Sequence, residues 1–488
     1  EGLLPLSAAQ RMIALSAATE PVTTVSGAPG TGKTHTLCAA ICNAIAAGQS
    51  VLVATRSIEA AEVIAAQLGK QPGPPALRFG SPDALKSAIS ELDRRLTAPT
   101  PDLHAGDSKL EVQLEARTLE VQTLHARALE LLAVVEAVET YLTDPEIIGG
   151  FREEFPPLFA PNADLERFTK TLNTARSVEG NWWVRQRRRV AIRRLNKRLS
   201  TPLKTDNEPH LARRLRHIGE AIAAAEASRS KPQLTEIGEE LRRTLPRWFE
   251  ATASLRLLRG QLLDQELLEQ ARSSSGRQVV SALSTALRSG AASRGKLIDT
   301  LNPQELLQAA PLWLGTLGEI ERLLPKIAGL FDLVVVDEAS QVELAVAAPG
   351  LLRAKRALIA GDPQQLRFVS FLSTEATHSA FAQADLLEHV ARLDPARNSV
   401  FDLAASAAPV QWLDEHYRSA PHLIGFSAEH FYSNPLHLVT QSPHNLTLDC
   451  IHTHLVADNQ SAIAEAIERT RALHREGVQS IGIISPFR

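Results

Sequence analysis

Residues 27–34, Gly-Ala-Pro-Gly-Thr-Gly-Lys-Thr, fit the spacing G-x-x-x-x-G-K-[ST]. Glycines let successive backbone N–H groups wrap an anion, and a helix starting there adds positive potential at the same spot. In this spacing Gly27, Gly30 and Gly32 shape the loop, Lys33 reaches the outer phosphates of ATP, and Thr34 ligates Mg²⁺. A second chemical centre, Asp337-Glu338, closes the apolar run at 330–336. A carboxylate at a buried strand end is the natural outer partner for that metal ion. The glutamate beside it can orient and deprotonate an attacking water. Together they predict Mg²⁺-assisted transfer of a phosphoryl group. A glycine-rich turn without nucleotide would not require the acidic strand end further along the chain.

Such residues need a rigid frame. Four short apolar runs read as buried parallel strands: 21–27, 50–55, 333–338 and 357–362. Helix-like stretches follow the first three, at 33–47, 57–68 and 341–353. Strands alternating with helices predict an α/β fold, a doubly wound parallel sheet, with ligands beyond the carboxyl ends of its strands. Those ends carry GAPGTGKT, ATRS, DEASQ and GDPQQL, so four polar strand ends are expected to converge on one crevice. A second strand set is expected at 409–415 and 480–486.

The middle of the chain has a different period. From Leu110 the series Leu114, Arg117, Val121, Leu124, Ala128, Leu131, Val135, Val138 and Leu142 alternates steps of four and three, a heptad seam that only Arg117 interrupts. Similar spacing joins Leu211, Leu215, Ile218 and Ile222, and runs more loosely from Leu234 to Leu267. Breakers at 98–106, 155–161, 200–209 and 272–276 separate these helices. The predicted arrangement is an antiparallel coiled-coil stalk, residues 80–299, inserted into a first domain of residues 1–79 and 300–398. Residues 399–488 begin a second domain.

Bulk composition excludes several classes. Three cysteines in 488 residues leave no disulfide scaffold and fit a reducing, cytoplasmic compartment. Cys38 and Cys42, one helical turn apart, read as small core residues, with a metal pair as the alternative. There is no apolar run of the roughly 18–20 residues that a bilayer span needs, nor a signal peptide, so no membrane partner is expected. The chain begins at Glu1 and reads as a processed or trimmed product. Net charge is −3, so the field of the whole molecule does not announce nucleic acid. Its distribution does: residues 181–199 hold eight Arg or Lys and no acid, after Trp182 and Trp183. Arg187, Arg188 and Arg189 are the candidate contacts to a strand, against the alternative of a solvated helix face.

A helical insertion between a phosphate loop and an Asp-Glu strand also occurs in chromosome-maintenance ATPases. Those need an LSGGQ-like signature before the acidic strand, and residues 323–333, LLPKIAGLFDL, contain none. Instead PLSAAQ (5–10), DEASQ (337–341), GDPQQL (361–366) and LDEHYRSAP (413–421), together with the phosphate loop, resemble the motif set of a superfamily 1 helicase. The likeness is to its 1B branch, which contains the nonsense-mediated-decay helicase, and within it to bacterial AAA-domain proteins. It covers roughly residues 1–79 and 300–488.

The resemblance implies an ATP- and Mg²⁺-dependent enzyme that moves along single-stranded DNA or RNA, with 5′→3′ movement expected. It places Gln10 on the adenine edge and Tyr417 stacked on adenine. It gives Gln365 the role of γ-phosphate sensor and Arg418 that of first arginine on the γ-phosphate, completing a catalytic set with Lys33 and Glu338. Taken alone, Gln10 also reads as a solvated loop residue, and Tyr417-Arg418 as a surface pair. Thr55 and Thr316 resemble the strand-gripping hydroxyls, and the absence of base-stacking aromatics beside them implies sequence-independent tracking. Ser340 and Gln341 are placed to couple phosphate state to the next motif, with helix capping by Ser340 as the plainer reading. The stalk could also engage protein partners.

The pattern departs from the family at its end. The final blocks, one with a Gln-Gly pair and one with a second catalytic arginine, are not in the sequence, and neither is the small β-barrel many relatives carry upstream. The second RecA-like domain therefore reads as incomplete: a fragment of a longer protein, or a site that has lost part of its machinery. On this reading the 488 residues bind Mg-ATP but hydrolyse it slowly. The alternative function is a nucleotide-dependent binding or scaffolding module without productive turnover.

Overall fold

The structure is a computed structural model that describes residues 3–70, 75–97, 107–142, 145–177, 182–199, 203, 208–230, 234–370, 372–432, 436–442, 444–446 and 448–485. The chain divides into two compact units, residues 1–98 with 266–488, and residues 99–265.

The first unit is built on a seven-stranded sheet. Its strands are β1 (Val22–Gly27), β2 (Val51–Thr55), β3 (Leu77–Arg78), β4 (Leu312–Thr316), β5 (Phe331–Val336), β6 (Ala354–Gly361) and β7 (Val410–Leu413). Their order is β3-β4-β2-β5-β6-β1-β7, and every pairing is parallel. Val53 lies opposite Val335, and Val25 opposite Ala360. Every residue of β2 is buried, as are the last five of β1 and the last four of β5. Helices cover both faces of a parallel sheet, which is why its strands are continuous apolar runs rather than alternating ones.

The helix Lys33–Ala46 buries Leu37, Cys38, Ile41, Cys42 and Ile45. Both thiols are free, and burial pushes each up to about 12. They serve as small core side chains; among the described residues no cluster of three or more His, Cys, Asp or Glu could hold a metal ion.

All four expected runs are strands. Two further ones, β3 and β4, lie outside them. β4 fits because Trp313 is buried and donates its indole N–H to the Ala310 carbonyl at 2.7 Å, which satisfies the ring's polar end.

The expected second strand set is corrected. Val410–Leu413 pairs with β1 and is the seventh strand of the same sheet, with Thr24 opposite Val410 and Gly27 opposite Leu413. Residues 480–485 form no strand, and Ile483 and Ile484 are exposed. A strand needs a neighbour for its ladder, and none pairs with this segment among the described residues. Residue 486 lies outside them. Beyond β7 the described chain holds a short parallel pair, β8 (Glu415–His416) with β9 (His437–Leu438), and the helices Pro421–Phe431 and Asn459–Arg475.

The helices Pro82–Thr97 and Ser274–Arg288, drawn into the insertion on sequence, contribute Ala88, Leu92, Val280 and Leu283 to the same apolar core as Leu52, Trp313 and Val334.

The second unit is helical. On the helix Asp107–Leu142 the heptad positions Val121, Ala128, Leu131 and Val138 are buried. Val121 packs with Ala251 and Leu255 of the helix Leu234–Arg272, His125 stacks on Trp248, and Arg127 pairs with Glu240 at 2.8 Å. Numbers rise on one helix as they fall on the other, so the pair is antiparallel. A separate core joins Phe155, Leu172, Leu195, Leu215 and Ile218. The breaker at 98–106 and most of that at 200–209 lie outside the described residues. No described helix is long and apolar enough to cross a membrane.

Candidate functional site

Sheet order decides what meets. β1 is flanked by β6 and β7, and β5 lies beyond β6. The carboxyl ends of β1, β5 and β6 are therefore neighbours, and they deliver the loop 27–34, Asp337-Glu338 and Asp362 to one place.

The loop's shape depends on two glycines. Gly30 and Gly32 have φ of 85° and 81°, in the left-handed region that side chains disfavour. A Cβ on Gly30 would stand 2.5 Å from Cε1 of His416 and 2.8 Å from Cβ of Arg418. One on Gly32 would stand 2.7 Å from Nε2 of Gln10. The loop is thus packed between two of the sequence-predicted site segments. The backbone N–H of Tyr417 donates to the Gly30 carbonyl at 2.9 Å.

Lys33 opens its helix and donates from Nζ to the Gly27 carbonyl at 2.7 Å. Burial lowers its pKa, against the raising effect of Asp362, Glu338 and Asp337; Arg418 is close enough to lower it further. Asp337 is buried, and its carboxyl is pushed up to about 6 by burial first and by Glu338 second. The backbone N–H of Glu338, 2.9 Å from its Oδ1, and Lys33 oppose that shift. A buried carboxylate starved of water gains most from a cation. Glu338 itself sits at φ 54°, a conformation that costs a non-glycine residue free energy and persists where the surroundings impose it.

Two residues after the acidic pair wire the site to its surroundings. Ser340 Oγ accepts from the Asp362 backbone N–H at 3.4 Å, linking DEASQ to GDPQQL; the short helix Ala339–Gln341 has Glu338 at its N-cap, without side-chain capping. Asp362 in turn accepts from Gln365 Nε2 at 3.1 Å, the Gln364 N–H at 3.0 Å and the Tyr432 hydroxyl at 2.8 Å. Gln341 donates from Nε2 to Glu338 Oε2 at 3.4 Å, and its Oε1 accepts from Arg56 Nη1 at 2.6 Å. The Arg56 guanidinium also lies 6.0 Å from the Phe368 ring centroid.

Beside Gly32, Gln10 is buried and locked in a reciprocal cap: its Oε1 accepts from the Ser7 N–H at 3.0 Å while Ser7 Oγ caps its own N–H. Tyr417 is exposed and hydrogen-bonds to Glu415. Burial of its hydroxyl and the Glu415 carboxylate raise the phenol to about 12, while Ser7, also within reach of that phenol, lowers it. Arg418 is exposed beside the loop.

Two sequence-predicted contacts have other partners in this structure. Thr55 is fully buried, and its hydroxyl donates to the Ser57 carbonyl at 2.8 Å and the Gly315 carbonyl at 3.4 Å, so it ties two strand ends together. The exposed residue at that strand end is Arg56, with Thr316 half-buried opposite Thr55 across β2 and β4. Arg188, in the helical unit, donates from Nε to the Ala175 carbonyl at 3.0 Å and pairs with Glu208, so it stitches helices together; Arg187 and Arg189 are exposed. Sequence reading missed Arg56, Asp362 and Tyr432. Asp362 carried a usable signal, an acid at the end of an apolar strand, as in Asp337.

Comparison with known proteins gives relatives and a family. Over 127 residues the chain is 35% identical to an uncharacterised ATP-dependent helicase of Mycoplasma genitalium, covering 26% of this chain and 11% of that protein. Over 143 residues it is 29% identical to the homologue in Mycoplasma pneumoniae, covering 29% of this chain and 13% of that one. The matched stretches thus span about a tenth of the length of these relatives. The AAA domain family model matches residues 5–371, three quarters of the chain, and the chain belongs to that family.

Proposed function

We propose that the first unit is the motor domain of an ATP-dependent helicase or translocase of superfamily 1, in its 1B branch, acting on single-stranded DNA or RNA. A phosphate loop alone names no function. The observation that carries this reading is the contact of the β7 segment with the loop: Tyr417 is bonded to Gly30, and the Arg418 Cβ lies within 3 Å of where a Gly30 side chain would begin. Motors of this kind must sense the nucleotide from a segment leading toward a second domain, and Tyr417-Arg418 is such a segment. The two helicase relatives support the same reading.

In the proposed reaction Lys33 and the loop N–H groups hold the phosphates of ATP, and Thr34 with Asp337 would hold Mg²⁺, which neutralises phosphate charge when bound. Glu338 takes a proton from the attacking water as that oxygen bonds to the γ-phosphorus, and the bond to ADP breaks. Arg418 and Gln365 face the phosphoryl oxygens, where charge accumulates. Coupling to nucleic acid runs through Gln341. It ties Glu338 to Arg56, and Arg56 is the exposed cation at the strand end where the nucleic-acid backbone is expected, with Thr316 nearby. A phosphate that draws on Arg56 thereby loosens or tightens the hold on Glu338.

The test is steady-state ATP hydrolysis with and without single-stranded DNA and RNA, for the wild type and Lys33→Ala. Slow hydrolysis by the 488 residues, lost in the variant, is expected, with strand-stimulated turnover once a longer chain supplies the second arginine. Nucleotide binding without turnover even in that longer chain would favour a scaffolding module.

A further inference from the structure

The helical unit holds a basic groove that the nucleotide chemistry does not use. It is a cavity of about 660 Å³ between the antiparallel helices Leu165–Arg176 and Trp182–Leu199. Their register follows from two contacts: Arg188 reaches the Ala175 carbonyl, and Arg198 lies over the Phe168 ring at 5.5 Å. Trp183, Arg187, Val190 and Arg194 line one wall, and Arg167 and Lys170 the other, with no carboxylate among the lining residues. On the first wall the steps are four, three and four, so one helix face supplies all four side chains. Ala191, Ile192 and Leu195 of the same helix are buried, which fixes the orientation of that face.

We infer that this groove binds a single strand of nucleic acid, at a second site within the same chain; the inference rests on the proposed motor reading. Three observations favour a polynucleotide over an acidic protein segment. The cations are spread along the axis, Arg187 and Arg194 being seven residues or roughly 10 Å apart, so a chain with repeated charge fits better than a single anion. Trp183 is 67% exposed at one end of the groove, with Trp182 edge-on to it at 4.7 Å and 60% exposed. Two indoles left in water beside cations suit the stacking of bases, which is sequence-tolerant because every base has a π-face. Arg167, Arg187 and Arg194 are all exposed, so phosphates can reach them. The guanidinium that is committed internally, Arg188, does not line the groove. Trp183 to Arg194 spans roughly 16 Å along the helix, the reach of a short stretch of strand.

The experiment uses the 488-residue chain and a labelled oligothymidylate, read by anisotropy from 50 to 200 mM salt and by tryptophan fluorescence. Arg167→Ala, Arg187→Ala and Arg194→Ala are combined in one variant, and Trp183→Leu is a second; melting temperature confirms that each folds. The wild type is expected to bind with quenching. In the triple variant the salt slope falls by about two, at roughly 0.7 per lost phosphate contact, and in Trp183→Leu the quenching is lost while the slope remains. Wild-type slope and quenching in both variants would overturn the groove and leave the motor reading standing. No oligonucleotide binding by the wild type at 50 mM salt would overturn both. Polyglutamate that quenches Trp183 and competes at equal charge would reassign the groove to an acidic protein partner.

Discussion

Gln341→Ala is expected to uncouple the nucleotide site from nucleic acid while leaving each able to bind. The carboxamide makes two bonds of unequal strength. The contact from Arg56 at 2.6 Å is short and charge-assisted, whereas the one to Glu338 at 3.4 Å is at the long limit of a hydrogen bond. A hydrogen bond to a charged group contributes ~1.5–3 kcal/mol when shielded, but Arg56 is exposed, which places the contribution nearer ~1 kcal/mol, or about fivefold in an equilibrium constant. Coupling between two ligands is a free energy and is reciprocal, so it can be read from binding alone, without turnover. The assay is the Kd of a non-hydrolysable Mg·ATP analogue with and without a saturating single strand. In the wild type the two values differ. In Gln341→Ala that ratio is expected to shrink about fivefold, in Arg56→Ala by a similar factor, and in the double variant no further, because both residues belong to one chain of contacts. An unchanged ratio in Gln341→Ala, or additive losses in the double variant, would refute the connection.

Three further outcomes follow from the site. Glu338→Gln should keep Mg·nucleotide binding, since Asp337 is intact, while hydrolysis falls by roughly 10²–10⁴; turnover at the wild-type rate would exclude Glu338 as the base. Gly30→Ala forces a side chain to φ 85°, at a cost of about 1–2 kcal/mol, and drives its Cβ into His416, so it should lower nucleotide affinity at least tenfold and the melting temperature by several degrees; equal values to wild type would mean the loop is not packed as described. His416 is buried and accepts from the Ser419 N–H at 2.8 Å, and burial holds its pKa below the ordinary 6.5. The unfolded chain therefore takes up a proton as pH falls through 6.5 before the folded chain does, so stability should fall on acidification by at most about 1.4 kcal/mol per pH unit. Urea unfolding between pH 7.5 and 5.5 should show that slope weakened in His416→Asn, and parallel curves would contradict it.

The parts of the fold legible in the sequence were those set by local pattern. The strands ending in Gly27, Thr55, Val336 and Gly361 are continuous apolar runs because helices cover both faces, and the buried residues Val121, Ala128, Leu131 and Val138 are heptad positions. What was not legible depends on distant partners. Nothing in the four residues of β7 says which sheet they join; that is settled by the edge of β1. Thr55 looks like a hydroxyl at a polar strand end, and only the neighbouring β4, which follows 260 residues later at Gly315, shows that it is buried. Arg187 and Arg188 are adjacent and chemically identical. Glu208 and the Ala175 carbonyl, on other helices, commit one of them and leave the other to the groove. Arg56 was missed for the same reason, since its significance lies in Gln341.

The central claim is that Lys33, Asp337 and their neighbours form one Mg·nucleotide site, and binding tests it more directly than turnover does. Titrate a fluorescent ATP analogue into the wild-type chain, Lys33→Ala and Asp337→Asn, each with Mg²⁺ and with a chelator, while following melting temperature. Saturable binding that weakens in the chelator is predicted for the wild type. Lys33→Ala should lose most affinity in both conditions, and Asp337→Asn should lose the difference between them, with both variants still folded. Wild-type affinity in Lys33→Ala, or undiminished Mg²⁺ dependence in Asp337→Asn, would contradict the site.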